Sequence, residues 1–90
     1  MITLDSYPAQ ALHVQGRRVD NEAVVILPDK GEVKVLNEIG AQIWALADGS
    51  RSVREIVAAI CAEYAVNPSE AEADTLAFLA ELESKGIIRA

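Results

Sequence analysis

Few residues in this chain are of the kind that do covalent chemistry. His13 is the only histidine and Cys61 the only cysteine. His13 has no cysteine nearby and no carboxylate at a regular spacing, and a catalytic or metal-binding histidine needs such company. It reads as structural or exposed. Cys61 falls between Ile60 and Tyr64 on an apolar stripe, with no adjacent base or cluster of positive charge to activate it. It reads as a small buried hydrophobe. The carboxylates Glu70, Glu72, Asp74, Glu81 and Glu83 are numerous enough to suggest acid–base work, but a helix with this composition has a solvated face. Asp74 stands out, because Phe78 and Glu81 follow at i+4 and i+7 and so share its side of a helix. The basic pairs Arg17-Arg18 and Arg51/Arg54 are short and read as solubilising. Glycine-rich phosphate loops, nucleophile elbows and metal-ligand spacings are all missing from the sequence. The expectation is a protein with no catalysis, cofactor or metal of its own.

Ninety residues make one small domain with a modest core and little room for a deep pocket. Half of the residues are apolar but only 4% are aromatic, so Val, Ile, Leu and Ala must build that core. Eight basic residues against fourteen acidic ones leave a formal charge of −6. That balance argues against nucleic acid, whose binding rests on lysine and arginine at phosphates. A single cysteine excludes an internal disulfide and any cysteine-cluster metal site. No apolar run reaches the roughly 20 residues needed to span a bilayer, and Met1 to Asp5 carries no secretory signal pattern. The expected setting is a reducing compartment, the cytoplasm, without membrane attachment.

The elements that would position a site can be read in order. Residues 1–10 read as a tail or irregular lead-in, and 11–90 as a single domain. Ala11 to Asp20 suits a first strand, interrupted or bulged at Gly16. Asp20-Asn21 signals a tight turn. Ala23-Val24-Val25-Ile26-Leu27 is the strongest strand and should be central. Pro28-Asp29-Lys30-Gly31 reads as a second turn, and Glu32 to Leu36 as a third strand. Short turns between three strands make an antiparallel meander, whose third strand lies at an edge. At Asn37 the apolar period changes from two to helical, through Ile39, Ile43 and Leu46, and Asn37 is a good N-cap. A first helix therefore runs from about Glu38 to Ala47 and stops at Asp48-Gly49. A second begins at the capping box Ser52-Val53-Arg54-Glu55. Its stripe is Val53, Ile56, Val57, Ile60, Cys61 and Tyr64. A third begins at Asn67-Pro68, runs to about Lys85 and ends at Gly86, with Leu76, Phe78, Leu79 and Leu82 as its core face. Ile87 and Ile88 close the core. The fold expected is α+β and winged-helix-like: a three-stranded antiparallel sheet followed by three helices.

The run Leu36-Asn37-Glu38-x-Gly40-Ala41-x-Ile43-Trp44-x-Leu46-x-Asp48-Gly49 resembles the PqqD-like family of peptide-binding proteins. So do Ser52-Val53-x-Glu55-Ile56-Val57, Tyr64-x-Val66, Asp74-x-x-x-Phe78-Leu79-x-x-Leu82 and Gly86-Ile87-Ile88. The resemblance covers about Val24 to Ile88. It implies a recognition element for ribosomally made, post-translationally modified peptides, which binds the leader of a precursor peptide and presents its core to an enzyme. Some such elements serve a radical SAM enzyme, as in the route to the quinone cofactor PQQ. Others serve a leader peptidase and a cyclase in lasso-peptide pathways. The family binds the leader as an added strand on the third β-strand, against the third helix.

That mode suits an unpaired strand edge, where backbone groups give affinity and alternate side chains give specificity. Carried to this chain, it makes Glu32, Val33, Lys34, Val35 and Leu36 the pairing strand. Pocket walls would come from Val33 or Val35, whichever meets the helix, with Leu76, Ala77 and Phe78. Asp74 and Glu81 would meet a basic or hydroxyl group on the leader. Trp44 is assigned to the core. Two other functions compete: a homodimer that pairs its own edge strands, and a winged-helix DNA-binding regulator. The carboxylate-rich third helix speaks against the second.

Overall fold

The computed structural model describes residues 1–27 and 30–90. The turn expected at Pro28-Asp29-Lys30-Gly31 lies partly outside these residues. The elements are β1 (Ala9–Gln10), β2 (Gln15–Val19), β3 (Glu22–Leu27), β4 (Glu32–Leu36), α1 (Glu38–Leu46), α2 (Val53–Glu63), α3 (Pro68–Ser84) and β5 (Ile88–Arg89). Strands β2, β3 and β4 form the antiparallel meander in that order, with β3 central. The helices share a core with one face of this sheet, and α1 lies directly against β3 and β4. Ala23, Val25, Leu27 and Leu36 from the sheet, Ile43 and Trp44 from α1, Val53, Ile56 and Ile60 from α2, and Leu79 and Leu82 from α3 make a single core. Ile87 and Ile88 are buried with them.

Local chemistry sets the helix starts. The Asn37 side chain accepts from Gly40 N–H at 2.9 Å. Asn67 does the same for Ser69 and Glu70, with Pro68 in the first turn. Ser52 and Glu55 form a complete capping box: Glu55 N–H donates to Ser52 Oγ, and Ser52 N–H donates to the Glu55 carboxylate. Hydrogen bonds from Ser52 hold the Glu55 carboxyl below its ordinary value of 4.5. Asp48 is likewise lowered, first by the Ser50 hydroxyl, then by Ser50 N–H and Arg51. A carboxylate lowered in the folded state stabilises above its unfolded pKa, and that contribution is lost as pH falls through the folded value. The urea midpoint should therefore be flat above about pH 5 and fall below it. Ser52→Ala should lower the midpoint by the equivalent of about 1 kcal/mol at pH 7 and flatten the acid limb.

Two details depart from the reading of the sequence. β2 begins at Gln15 and pairs with β3 in unbroken register, Gly16 opposite Val25, so there is no bulge at Gly16. The glycine has another reason. A Cβ there would overlap the six-membered ring of Trp44, which packs flush against the strand. Trp44 itself is buried, as its place beside Ile43 predicts. The second detail concerns residues 1–10, which are fastened along the body. Leu4 and Ser6 carbonyls accept from Arg54 and Val53 N–H, and Pro8 C=O accepts from Gly49 N–H. Ala9–Gln10 pairs with β5, and the Gln10 amide donates to Trp44 C=O at 2.9 Å. No periodicity announces this segment, because its partners are distant in sequence, from Trp44 to Arg54 in the middle of the chain and at β5 near its end.

Candidate functional site: a free strand edge beside a groove

The hydrogen-bonding direction of β4 can be worked out from the first hairpin. Val19 and Glu22 pair across a two-residue turn, with Asp20 at φ +56°. Across so short a turn the closing residues must bond to each other, and antiparallel pairs alternate thereafter. Residues 22, 24 and 26 of β3 therefore turn their backbone groups to β2, and 23, 25 and 27 turn theirs to β4. Their partners on β4 are Leu36, Lys34 and Glu32. This leaves the N–H and C=O groups of Val33 and Val35 pointing outward. β4 is an edge strand, so these four groups form an open ladder rung of the kind an extended chain completes.

Side chains alternate independently of that edge. Lys34 and Leu36 lie on the helix side. Leu36 is buried, and Lys34 Nζ reaches Glu81 Oε2 of α3 at 3.4 Å. Val33 and Val35 stand on the opposite, solvent side, 63% and 62% exposed. Val35 nevertheless borders the groove between β4 and α3 and Val33 does not, so the expectation that one of the two would wall a pocket against α3 holds for the position of Val35, although its side chain stands on the solvent side. Burying Leu36 commits the residues at two-residue spacing to that side, and the valines fall on the other.

Between β4 and α3 runs a groove of about 530 Å³. Lys34, Val35 and Leu36 form one wall, and Glu70, Asp74 and Phe78 of α3 the other. Its floor is Ile39, Gly40 and Ile43 of α1, with Ile60, Val66 and Thr75. The floor is apolar apart from Thr75, the one polar residue in the buried set among the described residues. The rim is acidic. The rotation of α3 explains the lining. Ala71, Thr75, Leu79 and Leu82 face the core. The flank one step round, Glu70, Asp74, Phe78 and Glu81, then turns toward β4. Leu76 lies on the other flank, partly buried against the core, and Ala77 faces solvent. Neither lines the groove. Glu81 meets Lys34 above it, and Glu32 lies exposed at the start of the strand. The α1 contribution is missing from the sequence reading, although Gly40 carries a signal. A Cβ there would come within 3.2 Å of Phe78 Cζ, so the glycine lets that ring approach α1.

The residues with reactive side chains stay apart from this site. His13 is exposed in the turn before β2, and Cys61 is half-buried on α2. Among the described residues, no group of three His, Cys, Asp or Glu side chains is placed to hold a metal, and no helix is long and apolar enough to cross a membrane.

Comparisons with known proteins identify the family and the fold. The family model described as "Coenzyme PQQ synthesis protein D (PqqD)" matches residues 22–88. A "PqqA binding protein" of Xanthomonas oryzae pv. oryzae (strain KACC10331 / KXO85) is 31% identical over 90 residues, with 98% of this chain and 96% of that protein covered. A solved structure, TbiB1 in complex with the TbiA(beta) leader peptide, superposes with a TM-score of 0.83 at 32% identity, covering 91% of this chain and 95% of that one. The PqqD truncation of Methylobacterium extorquens PqqCD, solved as a stand-alone recognition element, has the same fold, with a TM-score of 0.81 at 24% identity, covering 100% of this chain and 96% of that one. With the meander, the open β4 edge and the α3 groove in place, and a family match over most of its length, the chain belongs to the PqqD family.

Proposed function

We propose that this chain is a recognition element without catalysis of its own, which captures the leader segment of a ribosomally synthesised precursor peptide. The leader pairs with β4 as a fourth strand. Alternate leader side chains enter the groove against α3, where Asp74 and Glu70 at the rim favour a basic or hydroxyl-bearing neighbour. The captured peptide is delivered to a radical SAM enzyme, or to a leader peptidase and cyclase. One observation carries this reading: the open edge of β4, with the backbone groups of Val33 and Val35 turned outward, runs beside a groove that Val35 lines and whose floor is mostly apolar, so one extended segment satisfies both at once. Proteins similar to this chain are described as binding PqqA, and TbiB1 was solved with a leader peptide bound.

The winged-helix alternative has no support in the charge. α3 carries Glu70, Glu72, Asp74, Glu81 and Glu83, which would repel phosphates. The test of the main reading is amide exchange by NMR, with the leader of the precursor peptide encoded beside the gene. At saturation the Val33 and Val35 amides should gain protection, while those of Lys34 and Leu36, already bonded to β3, change little. Fast exchange at Val33 and Val35 in a saturated complex would rule out strand addition.

A further inference from the structure

The sheet face turned away from the helices is apolar where such faces are normally polar. Ile26 stands opposite Val33, and Val24 opposite Val35, so the four make a contiguous square. Ile26 is 41% exposed, less than the two valines of β4. Arg17 of β2 lies opposite Val24 on the same face. Among the described residues no carboxylate lies within ion-pair range of it. Glu22, opposite Val19, is the carboxylate of this same face, and most of the others in this chain of net charge −6 lie elsewhere, five of them on α3. Contiguous exposed apolar surface with a polar rim marks a protein-binding site.

We propose that this face seats the enzyme that acts on the captured peptide, through an apolar enzyme surface bearing a carboxylate opposite Arg17. The proposal rests on the leader-capture reading and extends it. Val33 and Val35 lend their backbone to the leader and their side chains to this face. A leader strand added to β4 places every second one of its own side chains here as well. An enzyme docked on the face therefore touches the chain and its cargo together. Enzyme and leader then strengthen each other's binding by the same factor. A second copy of the chain fits less well, because it brings two bodies of charge −6 together over a small patch.

The test uses Ile26→Lys and Arg17→Glu, which alter neither the β4 edge nor the groove. The probes are a fluorescein-labelled leader and the purified radical SAM enzyme or leader peptidase encoded beside the gene. Both variants should bind leader within twofold of the parent. Both should lose at least tenfold in affinity for the enzyme in the presence of leader. The parent should bind the enzyme more tightly with leader than without. Unchanged enzyme affinity in both variants overturns the proposal. So does sedimentation of the parent as a dimer that Ile26→Lys dissolves, which would make the face a self-contact. Failure of the parent to bind leader at all would instead remove the leader-capture reading beneath it.

Discussion

Replacing Val35 by proline is expected to weaken leader binding severely while leaving the domain folded. The N–H of Val35 points to the open edge, so proline removes no bond from the β3–β4 ladder, and edge positions of this kind tolerate it. The incoming strand, however, loses a donor and meets the pyrrolidine ring. A main-chain bond left unmade at a closed interface costs about 1–3 kcal/mol, and the steric block adds to it. The expected loss is on the order of 100-fold in affinity, at 1.4 kcal/mol per decade. Val33→Pro should act alike. Lys34→Pro should behave differently, because the Lys34 N–H pairs with Val25. It should lower the melting temperature as well as binding. Calorimetry with the leader peptide and thermal denaturation of the three variants separate these cases. Unchanged affinity in both Val33→Pro and Val35→Pro would sink the strand-addition mechanism.

The second large effect lies away from the site. Gly16→Val should destabilise the domain by about 1–3 kcal/mol or more, because the new side chain occupies the volume of the Trp44 ring. In a domain of this size each kcal/mol shifts the melting temperature by about 4–8 °C. Trp44 is the only tryptophan, so its emission reports the event directly. A red shift is expected as the ring is pushed toward water. Trp44→Leu should cost several kcal/mol alone but much less on the Gly16→Val background, a coupling that a double-mutant cycle reads out. If Gly16→Val melts and fluoresces like the parent, the glycine–indole contact is wrong.

Elements whose cause is local were readable from the residues. The Asn37 and Asn67 caps, the Ser52–Glu55 box and the period change at Asn37 fall where the helices begin, because each depends on neighbours within a turn. The order of the meander and the edge position of β4 followed from short connections. What depends on rotation or on distant partners was not readable. Periodicity places Val33 and Val35 on one face of a strand without saying which face the helices cover. That is decided by Leu36, the residue that runs into α1. In the same way the sequence places the carboxylates of α3 on its surface, but periodicity does not say that the Ala71–Thr75–Leu79–Leu82 stripe faces the core, and that rotation is what puts Leu76 and Ala77 outside the groove. Gly16 looked like a defect in a strand because its partner, Trp44, is far away in sequence. Gly40 and Phe78 hide their contact for the same reason.

The clasp between β1 and β5 also says something about time. Ala9 pairs with Arg89, so the contact joins opposite ends of the chain. Closing so long a loop is entropically slow. The meander and the α2–α3 pair are local and need not wait for it. The clasp should be the last structure to form and the first to open. Hydrogen exchange at the amides of Gln10 and Ala11, which bond to Ala47 and Ile87 carbonyls, should then report a partial opening well below the global unfolding energy, while Val25 in the central strand exchanges only when the whole domain unfolds. The β4 edge and the α3 groove lie outside the part that opens, so the peptide site survives these excursions intact.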